Sequence, residues 1–93
     1  MLKYILDGKK IASRNDFYDE LKRSKLPLPS HFGRNLDALW DVLTADLAGP
    51  LEIIWNASGS SRSAMGNEEH DQLVRLLLDA AVDRDDLKVT IHS

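Results

Sequence analysis

A chain of 93 residues that is 43% hydrophobic and 29% charged suits one compact domain and leaves little room for a second core. Because it has no cysteine, disulfide staples, thiolate metal sites and cysteine nucleophiles are excluded. A net charge of -3 argues against a general nucleic-acid binder, which needs a basic footprint to displace counterions from phosphate, and favours a cationic partner. The apolar run within Met1–Gly8 is too short for a signal peptide, and no segment is long enough to span a bilayer. The expectation is a cytoplasmic protein with no membrane partner.

Leu2 to Leu6 is a short apolar run closed by the turn dipeptide Asp7-Gly8 and predicts a strand. Ser13 and Asp16 fit a capping box, the serine accepting from the backbone and the aspartate reaching back to it. Phe17 and Leu21 then share one helix face. That helix should end before Leu26-Pro27-Leu28-Pro29, since a residue preceding proline is pushed out of the α region. A loop is expected from Pro27 to Arg34. Asn35 is the N-cap of a second predicted helix, which runs to about Ala48 and stops at Gly49-Pro50. Leu51-Glu52-Ile53-Ile54-Trp55 is almost continuously apolar, the pattern of a central strand buried on both faces, with Trp55 in the core.

Asn56 to Gly66, rich in Ser and Gly, predicts a loop. Asn67 with Glu68 and Glu69 opens a helix whose first-turn acids match the macrodipole, reaching about Asp83. Its Leu73, Leu76 and Leu77 are core residues, and Leu78 lies on the other side. The closing Leu87–His92 alternates with period two, which turns Leu87, Val89 and Ile91 inward. The order β-α-α-β-α-β is that of an α/β fold with parallel strands and right-handed crossovers.

On a wheel of about 100° per residue, Leu36, Leu39, Trp40, Leu43 and Leu47 form a core-facing stripe, with Asp37, Asp41 and Thr44 in a second stripe beside it. Two acids one turn apart repel by about a few tenths of a kcal/mol, and aspartate is a poor mid-helix residue. Either the acids are the solvated side of an amphipathic helix, or the local cost marks a functional face.

The stretch Gly33-Arg34-Asn35-Leu36-Asp37-Ala38-Leu39-Trp40-Asp41-Val42-Leu43-Thr44 follows the pair His31-Phe32 and a proline-containing loop. Gly49-Pro50-Leu51 and a strand ending in Trp55 come after it. In this order and spacing it resembles the barstar family, intracellular inhibitors of guanyl-specific ribonucleases. The likeness runs from Tyr4 to the closing Val89-Thr90-Ile91-His92-Ser93. It implies a barstar-like fold, a three-stranded parallel sheet with helices packed against it. It also implies a protein that is no enzyme, needs no cofactor or metal, and plugs the active site of a secreted ribonuclease in a one-to-one complex.

By the same resemblance, Asp41 is the main anchor in the enzyme's phosphate-binding site, with Asp37 and Thr44 in support. Gly33, Asn35, Leu36, Ala38 and Trp40 contact or shape the interface, and His31 stands where an interface tyrosine would be. Asp79 is the best match to a peripheral interface glutamate, with a shift of about one residue. Three further positions depart from the family's type member: Arg34 replaces an acid, Asp46 a bulky aromatic, and Phe32 a tyrosine. Arg34 either pairs with an acid on a less basic nuclease or is a solvated loop residue. The wheel sets Asp46 on the opposite flank from Asp41.

A ribonuclease must hold a phosphodiester and stabilise extra charge in its transition state, so its cleft is lined with cations. Carboxylates on a rigid helix can occupy that cleft without offering a bond to cleave. Complementary charge also speeds encounter, and desolvated charge pairs can dominate binding. The family's type pair is itself the standard example of both effects, so they enter here with the resemblance.

Other candidates are weaker. Ser58-Gly59-Ser60-Ser61-Arg62-Ser63 lacks the P-loop spacing, and a flexible loop is the better expectation. His31, His70 and His92 have no metal-ligand spacing, and no nucleophile-elbow motif surrounds a serine. Two rival functions stand beside inhibition. One is a barstar-like interaction module with a non-ribonuclease partner. The other is a small hydrolase using Asp37, Asp41 and His31 as acid and base groups, which needs a concave pocket.

Overall fold

A computed structural model describes residues 1–93. Three strands, β1 (Leu2–Asp7), β2 (Leu51–Asn56) and β3 (Leu87–Ile91), form a parallel sheet in the order β1-β2-β3. The helices are α1 (Arg14–Arg23), α2 (Leu36–Asp41), α3 (Ser58–Met65) and α4 (Asn67–Asp83). A 3-10 turn spans Gly8–Lys10, and a π turn over Val42–Asp46 continues α2. No helix is long and apolar enough to cross a membrane.

Three of the predicted helix starts and stops hold in detail. Ser13 accepts from the Asp16 N–H at 3.1 Å, although the Asp16 carboxylate reaches back to the Ala12 N–H, at 3.0 Å, one residue further than predicted. α1 ends at Arg23, before the Leu26-Pro27 pair, and Lys25 turns the chain with φ +69°. Asn35 caps α2.

Two expectations about the helices fail. Residues 58–65, expected as a loop, form α3, so the order is β-α-α-β-α-α-β. Serine and glycine are weak helix formers, but long-range hydrogen bonds override the local preference. The Ser58 N–H donates to the His92 carbonyl at 2.8 Å. The Ser61 hydroxyl, fully buried, donates to the Gly8 carbonyl at 2.8 Å and accepts from Trp55 Nε1 at 3.3 Å. Gly8 is obligatory here, because a Cβ would sit 2.2 Å from the Ala57 carbonyl oxygen. The second failure is the long second helix, whose α geometry stops at Asp41 and gives way to the π turn.

Both crossovers step from one strand to the next in the same direction. Right-handed crossovers then place every helix on one face of the sheet. Leu6, Leu51, Ile53, Trp55 and Leu87 point into that layer and meet Phe17, Leu21, Leu39, Leu43, Leu73 and Leu77. Trp55 is central: its ring lies 5.1 Å from Phe17 and 5.3 Å from His70. Leu78 is 44% exposed, as its side of α4 predicts.

The other sheet face is uncovered, which corrects the expectation that β2 is buried on both faces. Ile54 is only half-buried there and Ile5 is exposed. Glu52 is buried in this face, flanked in register by Lys3 and Lys88, and accepts from the Thr90 hydroxyl at 2.6 Å.

Glu20, 3% exposed, ties α1 to the end of β1. Its carboxylate accepts from the Asp7 N–H at 2.8 Å and from Arg23 Nε at 2.7 Å. The Arg23 hydrogen bonds, opposed by burial and aided by the Asp7 N–H, hold its pKa below the ordinary 4.5. A depressed folded-state pKa stabilises above the unfolded value and is lost as pH falls through the folded one. The Glu20→Gln variant should therefore be less stable at neutral pH by about 1–3 kcal/mol. Its thermal midpoint should also fall less steeply than wild type below about pH 4.5, as thermal melts across an acid series will show.

Candidate functional site

The acid-bearing stretch forms a ridge. Asn35, extended at φ -142° and ψ 171°, accepts from the Ala38 N–H at 2.7 Å and donates to the Gly33 carbonyl at 3.3 Å. These bonds fix the entry of the loop into α2. Leu39 and Leu43 anchor the ridge in the core, Leu36 and Trp40 pack at its edge, and Asp37 and Asp41 face solvent.

A hollow lies on each flank. The groove between α2 and α4, about 410 Å³, is lined by Leu36, Asp37, Trp40, Gln72, Arg75, Leu76 and Asp79. The opposite hollow, about 130 Å³, is lined by Pro29, His31, Phe32, Gly33, Ala38, Asp41, Val42 and Asp46. Asp37 and Asp79, 42 positions apart in sequence, thus share one groove, while Asp41 stands with His31, Gly33 and Ala38. Thr44 lines neither hollow; it is half-buried and its hydroxyl donates to the Trp40 carbonyl at 2.7 Å.

The π turn changes which residues lie together. The Leu47 N–H bonds to the Val42 carbonyl, five residues back, at 3.2 Å. This longer repeat stacks residues about five apart, so Asp46 joins Asp41 in one hollow instead of occupying the opposite flank. Nothing in the local sequence announces the turn. Its carbonyls are met from a distance: Arg84, just beyond α4, donates to the Leu43 and Leu47 carbonyls at 3.0 and 2.8 Å.

The side chains of Asp37, Asp41, Asp46 and Asp79 form no ion pair or hydrogen bond within the protein. Other acids are used internally. Hydrogen bonds from Arg23, Thr90, His70 and Arg84 hold Glu20, Glu52, Asp71 and Asp86, respectively, below the usual carboxylate range. The ridge and its flanks therefore present four carboxylates without a direct ion-pair partner, Arg75 being the one cation that lines the α2–α4 groove with Asp37 and Asp79.

The hydrolase arrangement is not assembled. Asp37 and Asp41 face different hollows, and no hydrogen bond joins His31 to either. His70 is buried against Trp55 with Nδ1 2.9 Å from Asp71, while His92 is exposed. No group of three or more His, Asp or Glu side chains is placed to hold a metal ion.

Over residues 1–92 the chain matches the family described as "Barstar (barnase inhibitor)". The chain belongs to the barstar family. A Bacillus subtilis (strain 168) protein named "Putative ribonuclease inhibitor YrdF" is 34% identical over 93 residues, 99% of this chain and 100% of that one.

Within the barstar fold, Arg34 is 40% exposed at its side chain, yet it is not free to serve a partner with its whole side chain. Its backbone is left-handed, φ +52°, and its guanidinium donates to the Asn15 carbonyl and to Asp19, each at 3.0 Å. It also lies 5.5 Å from the centre of the Tyr18 ring, against which Phe32 packs edge-on at 5.5 Å. Arg34 is thus a strap that holds the loop before α2 onto α1. The Arg34→Glu variant loses both bonds and sets a carboxylate beside Asp19. We expect it to unfold at lower temperature, by about 1–2 kcal/mol in thermal melts, with the loss partly recovered in high salt.

Proposed function

We propose that this protein inhibits a secreted guanyl-specific ribonuclease inside the producing cell, binding it one to one and filling its active site with the α2 ridge. The observation that carries this proposal is the set of four unpaired carboxylates on and beside one short, braced helix. A cation-lined phosphodiester cleft supplies the counterions that the protein itself withholds. Asp41 occupies the phosphate position, with Asp37 and Asp79 on one flank and Asp46 on the other. Gly33, Asn35 and Ala38 shape the entry to α2, His31, Leu36 and Trp40 provide contact surface, and Thr44 steadies the helix. Family membership and the inhibitor named among the relatives support the proposal.

Charge distribution along the chain adds to this. Eight of the twelve Lys and Arg residues fall in residues 1–34, and eleven of the fifteen Asp and Glu residues in 35–93. The ridge acids lie within that second segment, and a cationic cleft would draw them in during approach.

The central experiment is titration of the protein into a panel of guanyl-specific ribonucleases while RNA cleavage is followed. Loss of cleavage at one equivalent is expected with at least one enzyme; uninhibited cleavage across the panel would assign the ridge to a different partner. With an inhibited enzyme in hand, Asp41→Ala should weaken binding by about 2–5 kcal/mol, mainly through faster dissociation. That range is one to which the barnase–barstar pair itself contributes. Folding stability should hold or rise by about a few tenths of a kcal/mol, since repulsion from Asp37 is relieved. Asp83→Ala, an exposed acid outside both hollows, is the control and should bind as wild type.

Ionic strength provides an independent check. Association should slow as salt rises while dissociation changes little. An association rate that stays level from low to high salt, measured by stopped flow, would remove electrostatic steering from the account.

A further inference from the structure

A third hollow, about 360 Å³, opens where α1, the N-terminal end of α2 and the start of α4 meet. Arg14, Tyr18 and Arg34 line it, with Asn35, Leu36 and Glu69 at its other sides. Tyr18 is 2% exposed and its hydroxyl has no hydrogen-bond partner. The Nε–H of Arg14 is likewise buried and unpartnered, while the terminal nitrogen of the same guanidinium donates to Gln72. Arg34 engages Asn15 and Asp19 through one terminal nitrogen only, which leaves its other N–H groups free. Burial raises the Tyr18 phenol pKa, and the charges of Arg14 and Arg34 act in the opposite direction, so both cations stand close to that ring.

Of the buried unmet groups, the Arg14 Nε–H can only donate, and the Tyr18 hydroxyl can donate or accept. Arginine has no acceptor, and a phenol beside two guanidiniums is placed to donate to the same acceptor they seek. A buried donor without an acceptor is costly, and two on one hollow call for an occupant that brings oxygens. Glu69 does not fill the role, since it forms no ion pair with either arginine. The hollow also borders the acidic ridge: Leu36 lines both it and the α2–α4 groove.

We propose that Arg14, Tyr18 and Arg34 form an oxyanion subsite at the N-terminal end of the ridge, which receives a carboxylate side chain of the docked protein. The occupant rests on the docking function proposed above. A planar guanidinium edge suits a carboxylate, and a phenol can complete its coordination. The docking face would then be bipartite, acids meeting the partner's cations along the ridge and a cationic notch accepting an acid beside it. A partner whose basic cleft has an acidic rim fits both parts; a uniformly basic one fits only the first.

The test begins with ¹⁵N-labelled protein titrated with sodium acetate at constant ionic strength, following the arginine Nε–H signals. The Arg14 and Arg34 signals should shift saturably, and Tyr18→Phe should weaken this binding about tenfold, as for one lost charge-assisted hydrogen bond. The thermal midpoint of Tyr18→Phe should hold or rise, because the hydroxyl has no internal partner to lose. The same variant should bind an inhibited ribonuclease about tenfold more weakly.

Signals that do not move with acetate would overturn the subsite and leave its donors to water. Shifts with inorganic phosphate alone would overturn the carboxylate assignment. A lowered midpoint would show that the hydroxyl is structurally engaged, and an unchanged ribonuclease affinity would separate the subsite from docking; either result overturns the proposal. A panel in which no ribonuclease is inhibited would instead remove the docking function, and the partner carboxylate with it. The acetate titration would still decide by itself whether the site takes an oxyanion.

Discussion

Handedness governs this molecule. Strand order β1-β2-β3 makes both connections step the same way, and right-handed crossovers must then deliver all four helices to one face. Crowding α1, α2 and α4 onto a single three-stranded face brings α2 against α4, which is how Asp37 and Asp79 come to share a groove. It also leaves the second face of a parallel sheet bare, an arrangement that parallel sheets seldom adopt. Glu52, between Lys3 and Lys88 and bonded to Thr90, gives the bare face one satisfied polar row beside the apolar pair Ile5 and Ile54.

The ridge itself is short, and its rigidity is borrowed. α2 has only six residues before it widens into the π turn, far fewer than an isolated helix needs to persist. Its own cap, Asn35, fixes its start, and two longer-range tethers hold it: Arg34 strapping the preceding loop to α1, and Arg84 on the carbonyls near its end. A face braced in this way loses little conformational freedom on binding, which favours affinity without added contact area. The exposed acids add mutual repulsion that no direct ion pair relieves. Such an arrangement is costly in the free protein and favourable only against an external counter-charge.

Charge is handled in opposite ways on the two sides of the chain. Glu20, Glu52, Asp71 and Asp86 are each stabilised as anions by a neighbour's hydrogen bond, and two of them, Glu20 and Glu52, join separate elements of the fold. Asp37, Asp41, Asp46 and Asp79 receive nothing comparable. In the third hollow the imbalance has the opposite sign, with buried donors that lack acceptors. Both imbalances border α2, and a protein partner carrying the complementary groups would relieve both.

Much of this could be read from the residues alone. Alternation and apolar runs located all three strands, the Ser13 and Asn35 caps located two helix starts, and the spacing around Trp40 carried the family resemblance. These signals are local, arising from side-chain period and backbone hydrogen bonding within a few residues. What required the tertiary structure was set by partners far away in the chain. α3 forms from a Ser/Gly stretch because Gly8, Trp55 and His92 bind it. Asp46 turns toward Asp41 because the helix widens where Arg84 can meet its carbonyls. Arg34 became a strap because Asp19 and the Asn15 carbonyl lie within its reach. Local propensity decides where elements begin, but long-range hydrogen bonds and packing decide which side chains are spent inside the fold and which are left for a partner.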